Sequence, residues 1–156
     1  MHTIGFTEVQ ADDEAALFAL FSGVRAEELA MADWDAPLRN RVLRQQFDAQ
    51  RRGYRAQHPA AREQLILLDG RPVGWAVLDR SGPAWHCVDI AVAGEHRRQH
   101  IATQVLRAWQ QDAAAAHRGI ALSVLRTNAA ARALYDGLNF LVVGETDTHW
   151  LMEWHA

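Results

Sequence analysis

Val88-Asp-Ile-Ala-Val-Ala-Gly-Glu-His-Arg-Arg-Gln-His-Ile-Ala102 reads as a buried strand, a short turn and the opening of a helix. The apolar run stops at Gly94, and from about Gln99 the period becomes helical, with Ala102, Val105, Leu106, Trp109 and Ala113 on one face. The first N–H groups of a helix lack intrahelical partners and sit at the positive end of its dipole, so a turn wrapped around them holds anions, phosphate above all. Arg97 and Arg98 add charge at that spot. The plainer reading is an ordinary strand-to-helix turn with solvated arginines.

Outward from this stretch the pattern is mixed. Upstream, residues 3–9 alternate as a first strand, and Asp12 offers an N-cap for a helix striped by Leu17, Leu20, Phe21 and Val24. Asp35 caps a second helix with Pro37 in its first turn and Leu38, Val42, Leu43, Phe47 and Tyr54 on its apolar face; Pro59 lies just beyond its end. Residues 64–68 and 73–79 are strands joined through Asp69-Gly70, a hairpin signal, and a third strand covers 85–92. Downstream of a turn near Gly119 come a strand at 120–125, a helix opened by Asn128, and strands at 140–143 and 149–154. The order is β-α-α-β-β-β-α-β-α-β-β.

Length and composition narrow the function classes. At 156 residues the chain fits one domain, residues 1–156, with a core able to stand alone. A formal charge of −3 gives no global positive field for nucleic acid or an anionic membrane, so the arginine clusters act locally. One cysteine, Cys87, excludes an intrachain disulfide and a multi-cysteine zinc site. No segment approaches the roughly 18 apolar residues of a membrane span, and no basic-then-apolar leader opens the chain. The expected location is the cytoplasm.

Residues 97–102 and a second block, Asn128-Ala-Ala-Ala-Arg-Ala-Leu-Tyr-Asp-Gly-Leu-Asn-Phe140, together resemble the GNAT-type N-acetyltransferase superfamily. The family's pyrophosphate loop, Arg/Gln-x-x-Gly-x-Gly/Ala, falls on Arg97, Arg98, Gln99, His100, Ile101 and Ala102, with His100 where the family has glycine. In the second block Asn128, Ala131, Leu134 and Tyr135 match Asn-x-x-Ala-x-x-Leu-Tyr, and Asn139 replaces the glycine before Phe140. Asn tolerates the left-handed backbone that ends helices. The match spans roughly residues 65–154.

The resemblance implies an α/β (α+β) fold: a mixed, mostly antiparallel sheet of about seven strands flanked by about four helices. It implies acetyl-CoA as co-substrate, no metal, and direct transfer of acetyl to a primary amine. Implied cofactor contacts are Ile90, Ala91, Val92, Arg97, Arg98, Gln99, His100, Ile101, Ala102, Thr103, Asn128 and Tyr135. Tyr135 is the implied general acid toward the departing thiolate, and its plain alternative is a core tyrosine. Asp89 is the implied general base, with a hydrogen-bonded structural aspartate as the alternative. Asn128 doubles as an N-cap.

Other features weigh less. The two-residue period places His86, Val88, Ile90 and Val92 on one face of their strand and Trp85, Cys87, Asp89 and Ala91 on the other. His96 and His100 are four apart, but the helix begins too late to put both on one face, and no third ligand is evident. Cys87 reads as a buried, inert thiol. Glu27, Glu28, Asp33 and Asp35 surround Trp34 where the family forms its acceptor wall; the rival reading is a solvated loop with one buried tryptophan. The expected partners are a small-molecule, peptide or protein amine, with no nucleic acid and no membrane, and a homodimer is compatible. The rival functions are a non-catalytic acyl-CoA-binding or regulatory module and a ligand-free interaction domain.

Overall fold

The computed structural model describes residues 3–156, without the side chains of Ala32, Arg97 and Arg98. Seven strands, β1 (Ile4–Glu8), β2 (Arg62–Leu68), β3 (Arg71–Asp79), β4 (Ala84–Val92), β5 (Gly119–Leu125), β6 (Leu141–Glu145) and β7 (His149–Trp154), form one sheet in the order β1-β2-β3-β4-β5-β7-β6. Every neighbouring pair is antiparallel except β4 and β5. Helices α1 (Glu14–Glu28) and α2 (Ala36–Gln57) precede β2; α3 (Ile101–Ala115) links β4 to β5, and α4 (Ala129–Gly137) links β5 to β6. This is the mixed, mostly antiparallel sheet with four helices that the sequence implies.

Local chemistry sets the punctuation. Asp69 (φ 50°) and Gly70 (φ 83°) make the left-handed pair of a two-residue hairpin. Asp35 accepts from the Leu38 amide at 2.9 Å and opens α2, as its position before Pro37 predicts. For α1 the cap differs from expectation. Asp12 lies inside a short 3₁₀ turn, and Asp13 stands at the N-cap of α1 without a side-chain cap bond, its carboxylate instead accepting from the Gln10 amide at 2.9 Å to close that turn. Phe140 falls outside β6, because its amide bonds the Tyr135 carbonyl and closes the end of α4.

Two cores lie on opposite faces of the sheet. Leu17, Phe21, Leu43, Phe47, Trp75 and Val77 pack under α1 and α2. Ile101, Val105, Leu106 and Trp109 of α3 pack with Ile120, Phe140 and Met152 on the other face. Each of those α3 residues is at most 2% exposed, and burying such a side chain stabilises by about 1.5–3 kcal/mol. The start of α3 is therefore firmly seated. Leu38 departs from the expected apolar face of α2, at 41% exposed. Trp34, at 41% exposed, is not the buried tryptophan of the solvated-loop reading.

The strict two-residue alternation along β4 fails. Val77 pairs with Asp89 and Leu78 with Cys87, so Val88 is an extra residue in a β-bulge. Trp85, Cys87, Ile90 and Val92 pack toward the α3 core, whereas Val88 and Ala91 pack toward the α1–α2 core. Asp89 also points to the α2 side, where Trp75 holds it. The bulge thus splits the expected set of Trp85, Cys87, Asp89 and Ala91, and moves Ile90 and Val92 to the face of Trp85.

Candidate active site

The parallel pairing of β4 with β5 covers Ala84, Trp85 and His86 only, against Gly119, Ile120 and Ala121. Both strands continue, β4 to Val92 and β5 to Leu125, with no further pairing between them. The sheet forks there, and past the fork the edge of β4 that faces β5 meets no strand among the described residues. At the fork's open end lies a cleft of about 910 Å³. Its floor is Ile90, Ala91 and Val92; one wall comes from α3 and α4, and the other from the end of α1. Behind the floor β3 runs very close: a Cβ on Gly74 would sit 2.2 Å from the Ala91 carbonyl oxygen, so only glycine lets the strands approach this way.

At the α3 wall, Gly94–Gln99 form a 3₁₀ turn that hands over to α3 through His100, whose φ of 58° and ψ of 30° are left-handed. That is the conformation a glycine supplies freely, and histidine is among the side chains that tolerate it. His100 thus reproduces the backbone of the missing glycine while leaving an exposed imidazole at the mouth of the cleft. Ala102 and Thr103 line the wall beside it. Ile101 points into the core, so only its backbone faces the turn, and Gln99 pairs with His96 at 3.1 Å away from the cleft walls. The Arg97 and Arg98 side chains lie outside the described residues. With α3 starting at Ile101, His96 and His100 share no helix face, and no cluster of three or more metal-ligating side chains occurs among the described residues.

Helix α4 supplies the next part. Asn128 accepts from the Ala131 amide at 3.1 Å and caps the helix at the cleft's edge. Two turns on, Tyr135 reaches the cleft with its ring packed against Phe140 at 5.7 Å. Asn139 (φ 68°) ends α4 in the left-handed conformation its identity suggests. Burial, with Cys87 and Asp89 nearby, pushes the Tyr135 phenol well above its ordinary pKa, so the hydroxyl keeps its proton. Burial likewise pushes the Cys87 thiol far up, leaving it without nucleophilic thiolate.

Asp89 sits behind the floor of the cleft. Trp75 Nε1 donates to it at 2.8 Å, and Tyr54 and the Ile90 amide donate as well. Its carboxyl is nonetheless raised above the usual range, by burial first and by the charge of Glu28 in addition. Tyr54, raised by burial and by Asp89, stays a neutral donor. The structure therefore brings Ile90, Ala91, Val92, His100, Ala102, Thr103, Asn128 and Tyr135 around one cleft, with Asp89 one layer away.

The α1 wall was legible in the sequence only at Glu28. Val24, Arg25, Glu28 and Leu29 line it, and of these only Glu28 belongs to the acidic group around Trp34. Asp35 is spent on its helix cap, and Glu27 packs beside Gly94 in a neighbouring groove. Arg25 and Leu29 fall among ordinary helix residues, and no spacing marks them.

Residues 25–140 match the model of the Acetyltransferase (GNAT) family. No curated protein matches the chain in sequence. Among solved structures, the fold is similar to PaiA N-acetyltransferase from Thermoplasma acidophilum in complex with coenzyme A, at 14% identity over 99% of both chains and a TM-score of 0.73. It is also similar to an acetyltransferase from Thermus thermophilus, at 19% identity over 100% of both chains and a TM-score of 0.69. The ribosomal-protein-S18-alanine N-acetyltransferase from Escherichia coli shares 19% identity over 99% of this chain and 94% of its own, with a TM-score of 0.67. These likenesses speak for the fold. With three quarters of its length matched, the forked sheet and the left-handed turn into α3, the chain belongs to the GNAT acetyltransferase family.

Proposed function

We propose that this chain, acting as one domain over residues 1–156, is an acetyl-CoA-dependent N-acetyltransferase that moves acetyl to a primary amine by direct transfer in a ternary complex. The observation that carries this reading is the fork: β4 leaves β5 after His86 and lays Ile90, Ala91 and Val92 along the floor of a cleft. An extended thioester arm fits there as a surrogate strand, hydrogen-bonding to peptide groups. Its pyrophosphate fits the start of α3, where the first amides of the helix, Arg97 and Arg98 offer dipole and charge.

Bound acetyl-CoA supplies an electrophilic thioester carbonyl and a thiolate leaving group. The residues of the chain do the rest. Backbone amides along Ile90, Ala91 and Val92 steady negative charge developing on the carbonyl oxygen. The protonated Tyr135 hydroxyl, lining the cleft, would donate a hydrogen bond to the departing sulfur. Asp89, behind the floor of the cleft and a stronger base than a solvated aspartate through its raised pKa, is the proposed acceptor of the proton lost by the attacking amine. Holding both reactants in one cleft removes much of the entropic barrier between them.

The direct test is thiol release from acetyl-CoA across a panel of amines, amino acids and peptide N-termini, with the acetylated product weighed by mass spectrometry. Robust transfer to any acceptor supports the enzyme. Tight coenzyme A binding with no turnover on any acceptor would identify a binding module, and absence of both would point to a ligand-free domain.

A further inference from the structure

From the α1 wall of the cleft we infer that the acceptor is a compact zwitterion, an amine with a carboxylate one or two carbons away, as in an α-amino acid, whose carboxylate Arg25 binds and whose amine enters beside Glu28. The inference rests on the acetyltransferase reading and names its substrate class.

Arg25 and Glu28 sit one helical turn apart at the end of α1, and both line the cleft with Ile90, Ala91 and Tyr135. They are joined by a single contact, Arg25 Nη1 to Glu28 Oε2 at 3.3 Å, and both side chains remain well exposed, at 39% and 49%. Such a contact is a weak tether. Arg25 is also incompletely satisfied. Three buried side-chain polar atoms among the described residues have no hydrogen-bond partner: Ser22 Oγ, Arg25 Nε and Gln46 Oε1, all on α1 or α2. Only Arg25 belongs to a residue that lines the cleft.

A guanidinium presents its donors as a planar fork that matches a carboxylate in two parallel hydrogen bonds. A carboxylate entering the cleft gives Arg25 a second anion, and side-chain rotation that uncovers the buried Nε would complete the fork. The same event frees Glu28 to meet the positive end of the ligand. One loose ion pair is thereby exchanged for two tighter ones, a trade that only a molecule carrying both charges close together can make. An amine that carries no carboxylate leaves the Arg25 fork half-filled, and a peptide N-terminus brings no carboxylate near its amine.

The test compares α-amino acids with their decarboxylated amines, their amides and short peptides, using purified protein, acetyl-CoA and thiol release. The expected result is that kcat/KM for at least one amino acid exceeds that of its decarboxylated amine by about tenfold or more, through KM. Arg25→Gln should collapse that ratio toward one by raising KM for the amino acid, and Arg25→Lys should keep part of it, which separates recognition from folding. A wild-type preference for the decarboxylated amine or a peptide overturns the inference, as does an equal loss on both substrates in Arg25→Gln. Those outcomes leave the acetyltransferase intact. Its own failure looks different, because no acceptor of any class then releases thiol.

Discussion

The two walls of the cleft are built from different material. On the α3–α4 side, small side chains such as Ala102, Thr103, Ala130 and Ala131 line the cleft at two helix openings, with His100, Asn128, Leu134 and Tyr135 as the larger groups. On the α1 side the wall is made of side chains, with Arg25 and Glu28 carrying opposite charges. Backbone amides at a helix start bind any phosphate of suitable shape, whereas two opposite charges side by side select one kind of molecule. The first wall suits a cofactor shared by many enzymes, and the second suits an acceptor particular to this one. Substitutions on the α3–α4 side should then act on every acceptor alike, while those on the α1 side should depend on which acceptor is used.

The largest effect belongs to Tyr135. Tyr135→Phe keeps the ring against Phe140 and removes only the hydroxyl, so kcat should fall by about ten- to a thousandfold with every acceptor tested, while acetyl-CoA affinity stays within about twofold. A loss confined to one acceptor would move Tyr135 to the acceptor wall. Loss of binding together with turnover would make the hydroxyl a structural anchor.

Asp89→Asn comes next, with an expected fall of about a hundredfold. Its pH dependence fixes the role. A base works only when deprotonated, so wild-type kcat/KM should drop as pH falls through the raised Asp89 pKa, and the variant should lack that limb. Stability runs the other way. A carboxyl whose folded pKa lies above its unfolded value contributes most while protonated, and that contribution is lost as pH rises through the folded pKa. Asp89→Asn keeps an acceptor for Trp75 and Tyr54 without the charge, so it should melt higher than wild type at pH 8 and show a smaller difference at pH 4. A variant with full activity and only the stability change would leave Asp89 a structural residue.

The smallest effect is at His100. Glycine at its left-handed position relieves about 1 kcal/mol of backbone strain, and His100→Gly should raise the melting temperature accordingly. It should also tighten coenzyme A binding. Weaker binding in the variant would instead make the imidazole a phosphate ligand.

The same contrast explains what could be read from the chain. Backbone features carry local signatures: Asp69-Gly70 announces its hairpin, Asp35 before Pro37 announces a helix, and Asn139 fits the left-handed end of α4. The strand-turn-helix from Val88 to Ala102 was legible for the same reason. The bulge at Val88 was not, because one extra residue in a strand leaves the composition unchanged, and the period-two reading therefore placed Ile90 with Val88 and Asp89 with Cys87, on faces they do not share. Arg25 was equally silent. Its helix is recognised by the stripe of Leu17, Phe21 and Val24, and residues off that stripe look alike until the tertiary fold brings one of them to the floor of β4.

The central claim is that the fork between β4 and β5, with the start of α3, holds acetyl-CoA. Amide hydrogen exchange with and without saturating acetyl-CoA tests it at the residues themselves. The account predicts slower exchange at Ile90, Ala91 and Val92 and in the first turn of α3, Ile101 to Thr103, with β1 and the α2 helix unchanged. Unchanged exchange in the fork, or protection confined to another part of the molecule, would contradict it.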